Sequence, residues 1–396
     1  MLTSCALILL SGMFFGTLFK KIHLPAIIGM ISAGILISPN AFNLIDESLL
    51  EISSVLRQVA LVIILTRAGL TLDISDLRKI GRPAILMSFV PACFEILGTM
   101  LIAPVMFDMT LLDAALMGSV IAAVSPAVVV PRMINLIEQK KGIEKGVPQL
   151  ILAGASVDDV FVIVVFTALC SLCSSETASF SAFAQVPVSI VSGVFLGAVC
   201  GVLLSKIFAF VSMTTMTQFL LLICSSFLLL EIESLLGSIL PFSALLAIMS
   251  MALMIRYQSA DTAASMKLKY NAAWIIAEIF LFVLVGVNVD MRYALSAGGL
   301  AVMLVLGAMI FRMSGVAASL VKTSFNQKER LFCMLAYTPK ATVQAAIGAI
   351  PLAMGFECGE LIMTVSVISI LLTAPFGAIC IDHFSDVLLI DGDYLC

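Results

Sequence analysis

Residues Val147–Cys173 read V-P-Q-L-I-L-A-G-A-S-V-D-D-V-F-V-I-V-V-F-T-A-L-C-S-L-C. A bilayer core of ~30 Å needs ~20 helical residues, so this stretch is long enough to cross one. Its only charges are Asp158 and Asp159, side by side near its middle. A carboxylate at that depth costs at least ~2.5 kcal/mol, and two neighbours also repel each other. A segment that keeps such a pair is read as holding a cation or a proton. Adjacent helical residues point about 100° apart, so the two carboxylates have different tasks. One faces a cavity while the other faces a neighbouring helix.

Composition agrees with a membrane setting. Of 396 residues, 61% are hydrophobic and 12% charged, whereas globular proteins carry ~25% charge. This is an all-α polytopic membrane protein with little length left for a soluble domain. The basic residues are few and scattered, which excludes nucleic acid as a partner; the surrounding partner is membrane lipid. Nine of the 10 cysteines sit in apolar segments, where cysteine acts as a small hydrophobe. Cys170 and Cys173 form a lone C-x-x-C without the second pair a metal or redox site would use. No nucleophile lies with a base, and His23 and His383 fall at span ends, so neither an enzyme nor a cofactor is expected. Leu2–Cys5 looks like a lipoprotein cleavage box, but no apolar region precedes it. Lys20 and Lys21 follow the first apolar segment instead of preceding it, so that segment reads as a retained span.

The chain reads as about thirteen transmembrane helices, at 2–19, 24–41, 54–71, 83–107, 111–136, 147–173, 183–211, 216–232, 239–256, 271–289, 294–321, 330–353 and 358–381. Cytoplasmic loops collect Lys and Arg. One set of alternate loops holds nearly all of them, from Lys20 and Lys21 through Arg132, Lys140, Lys141 and Lys145 to Lys322, Lys328 and Arg330. The other set holds only Arg57 and Arg292, among acidic residues such as Asp46, Asp108, Asp113 and Glu233. The division places the N-terminus outside and the C-terminus in the cytoplasm.

An odd span count suggests two six-helix repeats around one linker span, which must then be inverted. Two prolines test this. Ser125-Pro126 opens S-P-A-V-V-V-P, closed by Pro131, in the fifth span. Thr338-Pro339 opens T-P-K-A-T-V-Q in the twelfth, the matching place in the second half. Proline removes an amide donor and clashes with the turn before it, so both helices should break at mid-depth, Pro126 and Pro131 together breaking the first. Matched broken helices point to a transport site. Unwound carbonyls of Val128 and Val129 would suit a hard cation. Ser156, before the aspartate pair, and Gln344, a turn beyond Lys340, are further polar candidates.

Three other charges inside spans carry the reading, Glu95 in the fourth, Arg312 in the eleventh and Lys340 in the twelfth, with Glu278 in the tenth as a further candidate. An arginine stays charged, so Arg312 needs a carboxylate, and Glu95 or Asp158 can supply it. Lys340 is placed to offset the carbonyl ends of broken half-helices, which carry partial negative charge. Asp73, Asp76 and the cluster from Asp382 to Asp393 read as solvated loop charge.

These residues resemble the monovalent cation/proton antiporters, specifically bacterial relatives of the animal sodium/proton exchangers of the two-aspartate subgroup. The likeness is carried by V-S-P-A-V-V-V-P at Val124–Pro131, A-G-A-S-V-D-D-V at Ala153–Val160, P-K-A-T-V-Q-A-A-I-G at Pro339–Gly348 and R-A-G-L at Arg67–Leu70. The resemblance implies an NhaA-like fold with crossed discontinuous helices, in a homodimer in the bacterial inner membrane. It implies a dimerisation panel (1–72 and 216–289), a moving core (83–173 and 294–381), a linker helix (183–211) and a short cytoplasmic tail (382–396). It implies elevator-type exchange of Na+ or Li+ for H+, with Asp159 as the shared carrier and Asp158 as the partner of the basic residue in the eleventh span, here Arg312, whereas the reading of the charges alone favours a structural pair between Glu95 and Arg312. Many electrogenic relatives have lysine where this chain has Arg312. An arginine does not release a proton, which favours electroneutral exchange. Potassium/proton exchange is the alternative on the same fold. A sodium-coupled organic-acid symporter is another, disfavoured by the valines at 128–130.

Overall fold

The computed structural model describes residues 1–22, 24–71, 81–174, 180–211, 213–236, 242–289 and 291–389, with backbone alone for 156, 180–187, 236 and 291–297. Asp73, Asp76, Asp391 and Asp393 lie outside the described residues, as does His23. In hydrocarbon each backbone amide must find its partner within its own segment, and the regular elements here are helices. They run α1 (Leu2–Lys21), α2 (Ala26–Ile37), α3 (Glu47–Glu51), α4 (Ser53–Thr71), α5 (Arg82–Met87), α6 (Val90–Phe107), α7 (Leu111–Ile121), α8 (Pro126–Glu138) and α9 (Val147–Ser174). There follow α10 (Phe180–Phe210), α11 (Thr215–Leu236), α12 (Ala244–Gln258), α13 (Ala260–Val287), α14 (Met291–Ser319), α15 (Gln327–Ala336), α16 (Thr342–Ile347), α17 (Ile350–Ala353) and α18 (Gly359–Leu388). Among the described residues, ten helical stretches are long and apolar enough to cross a membrane. Shorter apolar helices, Ala26–Ile37, Ala244–Gln258 and Thr342–Ala353, fall at the second, ninth and twelfth expected spans.

The chain divides into two compact units. One comprises Met1–Glu51, Ile74–Val162 and Phe282–Cys396 and contains all the intramembrane charges singled out above; the other comprises Ile52–Asp73 and Ile163–Leu281.

In the first unit glycines bring helices close. Gly98 of α6 lies under the Phe311 ring of α14, and Gly315 of α14 lies on Pro91 at the start of α6. Gly118 of α7 meets Ile96 and Thr99 of α6. Lipid offers no hydrophobic drive for helix pairing, so close van der Waals contact through small residues must supply it. These contacts hold α6, α7 and α14 against one another at the depth of Glu95 and Arg312. The turn between α6 and α7 is tight. Asp108 ends α6 with φ +51°, and the Thr110 hydroxyl accepts from the Asp113 amide at 3.1 Å, capping α7. Asn326 and Glu329 form a reciprocal capping box that starts α15.

At one end of this unit Arg132 of α8 makes a two-pronged bond to Asp382 of α18, at 2.9 and 3.0 Å, and Lys141 pairs with Asp386. Asp382 and Asp386 are therefore helical and ion-paired, though exposed, and are not loop charge as expected. The sequence hides this because their partners lie some 250 positions away.

In the second unit, Gly193, Gly197 and Gly201 recur every fourth residue on α10 and lie on the backbone of Ser243, Ala247 and Met251 along α12. Gly69 of α4 meets Met249 and Ala252 of α12. The Arg67 guanidinium lies 5.9 Å from the Trp274 ring centre, a cation–π contact between α4 and α13.

A Cβ at Gly197 would strike the Ala247 carbonyl, whereas one at Gly298 of α14 would meet nothing within 4 Å. Gly197→Ala should lower unfolding free energy by about 1–3 kcal/mol, and Gly298→Ala should not. Thermal melting of the detergent-solubilised variants checks the contrast.

Candidate ion-binding site

Both expected helix breaks are present. The first spans Ala122 to Ser125, between α7 and α8; the second spans Tyr337 to Ala341, between α15 and α16. They touch: the Ser125 amide donates to the Pro339 carbonyl at 2.7 Å. Pro339 itself is seated on Gly377 of α18, which has no side chain to obstruct it.

The first break differs in register from expectation. It precedes Pro126 instead of running through the valines, and Pro131 is carried inside α8. Proline is tolerated at the first helical position, where its missing N–H is an orphan in any case. Pro126 therefore begins a half-helix. Val128 and Val129 are helical, and the Val128 carbonyl accepts from Arg132 Nη1 at 3.0 Å. The unwound carbonyls are those that end α7.

A helix end leaves its last carbonyls without partners and carries partial negative charge. Here cationic and amide side chains meet those carbonyls. Lys340 Nζ donates to Ile121, Arg312 donates to Ala122, and Gln344 Nε2 donates to Ala123 at 2.8 Å. The end of α15 is treated alike, for Arg312 Nε donates to the Tyr337 carbonyl at 2.7 Å.

Arg312 pairs with both candidate carboxylates at once. Nη1 reaches Glu95 Oε2 at 2.9 Å and Nη2 reaches Asp158 Oδ2 at 3.0 Å. Asp158 Oδ2 also accepts from the Val124 amide at 2.8 Å. Glu95 Oε1 lies 2.6 Å from Lys340 Nζ. All four side chains are at most 1% exposed. Charges so buried persist only when paired and hydrogen-bonded, and Arg312 satisfies the requirement with a planar fork of donors that a lysine lacks.

Asp159 stands apart. It forms no ion pair among the described residues; its Oδ1 is buried without a hydrogen-bond partner, while the residue as a whole keeps some exposure. The adjacent aspartates therefore differ in their partners. The side chain of Ser156 lies outside the described residues.

Sequence reasoning missed the supports on α18. The Thr373 hydroxyl accepts from the Lys340 amide at 2.9 Å, and the Ser366 hydroxyl donates to the Gln344 carbonyl at 2.9 Å. The first satisfies an amide released by the second break, and the second adds a donor to a carbonyl that also accepts from the Gly348 amide at the end of α16. The available signal was the spacing of Ser366, Ser369 and Thr373 along one face of an apolar span.

Residues 6–384 match the family described as sodium/hydrogen exchanger, transmembrane. The chain belongs to the sodium/hydrogen exchanger family. It is 32% identical over 383 residues to sodium/hydrogen exchanger 9B2 of Homo sapiens, covering 92% of this chain and 70% of that protein. It is 30% identical over 380 residues to sodium/hydrogen exchanger 9B1 of Homo sapiens, covering 90% and 71%. In fold it resembles the sodium proton antiporter MjNhaP1 from Methanocaldococcus jannaschii, with a TM-score of 0.84 over 97% of each chain at 20% identity. The monovalent cation/proton antiporter resemblance and the all-helical antiporter fold read from the sequence are thus upheld. The family is one of transporters, and its substrates are the transported ions; it has no cofactor.

Glu95 balances two buried cations, so Glu95→Gln leaves one of them uncompensated. Its loss should cost about 3–5 kcal/mol of stability, read as a lowered detergent melting temperature. If melting is unchanged and only transport falls, Glu95 belongs to the ion path.

Proposed function

We propose that the chain exchanges Na+ or Li+ for H+, one for one and without net charge transfer, with Asp159 as the shared carrier. The observation that carries this is the charge balance of the cluster. Arg312 and Lys340 offset Glu95 and Asp158 through the contacts at 2.6 to 3.0 Å, and Asp159 remains without a cation. One monovalent cation or one proton neutralises it, and the two compete for one carboxylate. Arg312 holds its proton permanently, so no second proton leaves through it. Asp158 is proposed to stay with Arg312 while lending its free oxygen to the bound ion. Ser156 is proposed as a further ligand. The helical setting of Val128 and Val129 leaves them a lining role beside the crossing.

The remaining proposals follow the resemblance. The protein is an inner-membrane homodimer of a bacterium with about thirteen crossing helices, N-terminus outside and C-terminus in the cytoplasm, in keeping with the Lys and Arg distribution. The core of 83–173 and 294–381 moves as an elevator past the panel of 1–72 and 216–289, with 183–211 as linker.

The test is proton flux into proteoliposomes loaded with a pH dye, on addition of sodium, lithium or potassium, with the membrane potential clamped or free. A sodium or lithium signal indifferent to voltage is expected, and Asp159→Asn should abolish it at unchanged melting temperature. Retained pH-dependent exchange in that variant overturns the assignment of the carrier. A voltage-dependent signal overturns electroneutrality, and a response to potassium alone assigns the alternative cation.

A further inference from the structure

Tyr337 closes α15 with a side chain that is 1% exposed, yet its hydroxyl has no hydrogen-bond partner among the described residues. A buried phenol usually finds one, because leaving a polar group unsatisfied costs free energy. Three observations fix where this hydroxyl lies. The Tyr337 carbonyl accepts from Arg312 Nε at 2.7 Å. The ring centre is 5.6 Å from the Arg312 guanidinium carbon. The hydroxyl itself fills the space beside Gly154 where a side chain at that position would begin.

Helical residues four apart share a face, with ~5–6 Å between their Cβ positions. Four residues beyond Gly154 on α9 is Asp158. The Tyr337 hydroxyl thus stands as Asp158's neighbour on its own helix face. Asp158 Oδ2 is engaged by Arg312 and the Val124 amide, whereas Oδ1 is buried and without a partner among the described residues. Two orphaned polar atoms so placed suit one buried water, since two hydrogen bonds of ~2.8 Å span the gap.

We infer that a bound water joins the Tyr337 hydroxyl to Asp158 Oδ1, making Tyr337 a positioning residue for the ion pair beside the carrier. The water accepts from the phenol and donates to one lone pair of Asp158 Oδ1, which fixes the carboxylate against Arg312 and leaves the second lone pair of that oxygen for the ion. The other groups around Asp158 are Arg312 on α14, Glu95 and Cys93 on α6, Lys340 in the second break and Asp159 on α9; Cys333 of α15 flanks Tyr337. Each of these remains when the phenol oxygen is removed, so Tyr337→Phe isolates one donor. This inference rests on the exchange function proposed above for its kinetic readout.

With that tether gone, the Asp158 carboxylate turns more freely and presents its oxygen to the ion less well. At one fixed pH, Tyr337→Phe in proteoliposomes should therefore need about three- to tenfold more sodium than the unsubstituted protein for half-maximal proton flux. Plateau turnover should stay within about threefold and detergent melting within about 4 °C, because the variant removes one hydroxyl and keeps the buried ring. A coincident sodium dependence overturns the inference, and so does loss of the plateau together with melting temperature. If the unsubstituted protein shows no sodium-driven flux, the exchange reading fails instead. The bridging water is then judged alone, from a cryo-EM map that resolves ordered water. Density between Tyr337 Oη and Asp158 Oδ1 supports it, and its absence there overturns it.

Discussion

A single guanidinium joins the parts of the site. Arg312 projects from α14 and binds a carboxylate on α6, a carboxylate on α9 and the carbonyl ends of two interrupted helices. Those carbonyl ends exist because Pro126 and Pro339 interrupt their spans, and they are the backbone that hydrocarbon cannot solvate. One residue therefore answers two costs together: unpaired carboxylates and unpaired carbonyls. A lysine could meet one or two of these acceptors. The planar fork, with five N–H donors in fixed directions, reaches groups on four helices.

Fixing the cations in this way decides what remains mobile. Arg312 and Lys340 each bond a helix end as well as a carboxylate, so neither can turn away without exposing backbone. The arrangement leaves charge variation to the carboxylates, and among them Asp159 alone lacks a cationic partner among the described residues. Its place next to Asp158, about 100° round the helix, keeps it near the cluster's field without entering the pairing. That geometry is what supports a one-for-one reading.

Much of this was legible in the chain because it is costly. Asp158, Asp159, Glu95, Arg312 and Lys340 are charges where charge is disfavoured, and Pro126 and Pro339 stand in spans where proline is disruptive. Residues kept against such costs announce a site. Three features were not legible, each for a physical reason. Whether Pro126 would end a helix or start one depends on the backbone before it, so the free carbonyls were placed at Val128 and Val129 when they are those of Ile121, Ala122 and Ala123. Arg312 could be given a carboxylate partner from charge alone, but sharing between Glu95 and Asp158 is a matter of ångströms. The supports from Thr373 and Ser366 use residues whose commonest task in a membrane helix is to bond their own backbone, which Thr373 also does through Ser369.

Glycines set the packing around the cluster. Gly98 and Gly315 draw α6 and α14 together, Gly377 seats Pro339, and Gly154 admits Tyr337. Each lies within a turn or two of a charged or broken element. Close approach shortens ion pairs and expels water, which strengthens every electrostatic contact in the cluster. The same exclusion makes each unsatisfied oxygen expensive. Asp158 Oδ1, Ser125 Oγ and Gln344 Oε1 are left buried without partners among the described residues, around the point where the two breaks meet. A site packed this tightly by glycine, with oxygens still unspent, favours a small cation that brings its own charge over a larger organic solute that would need the glycine-lined seats to open.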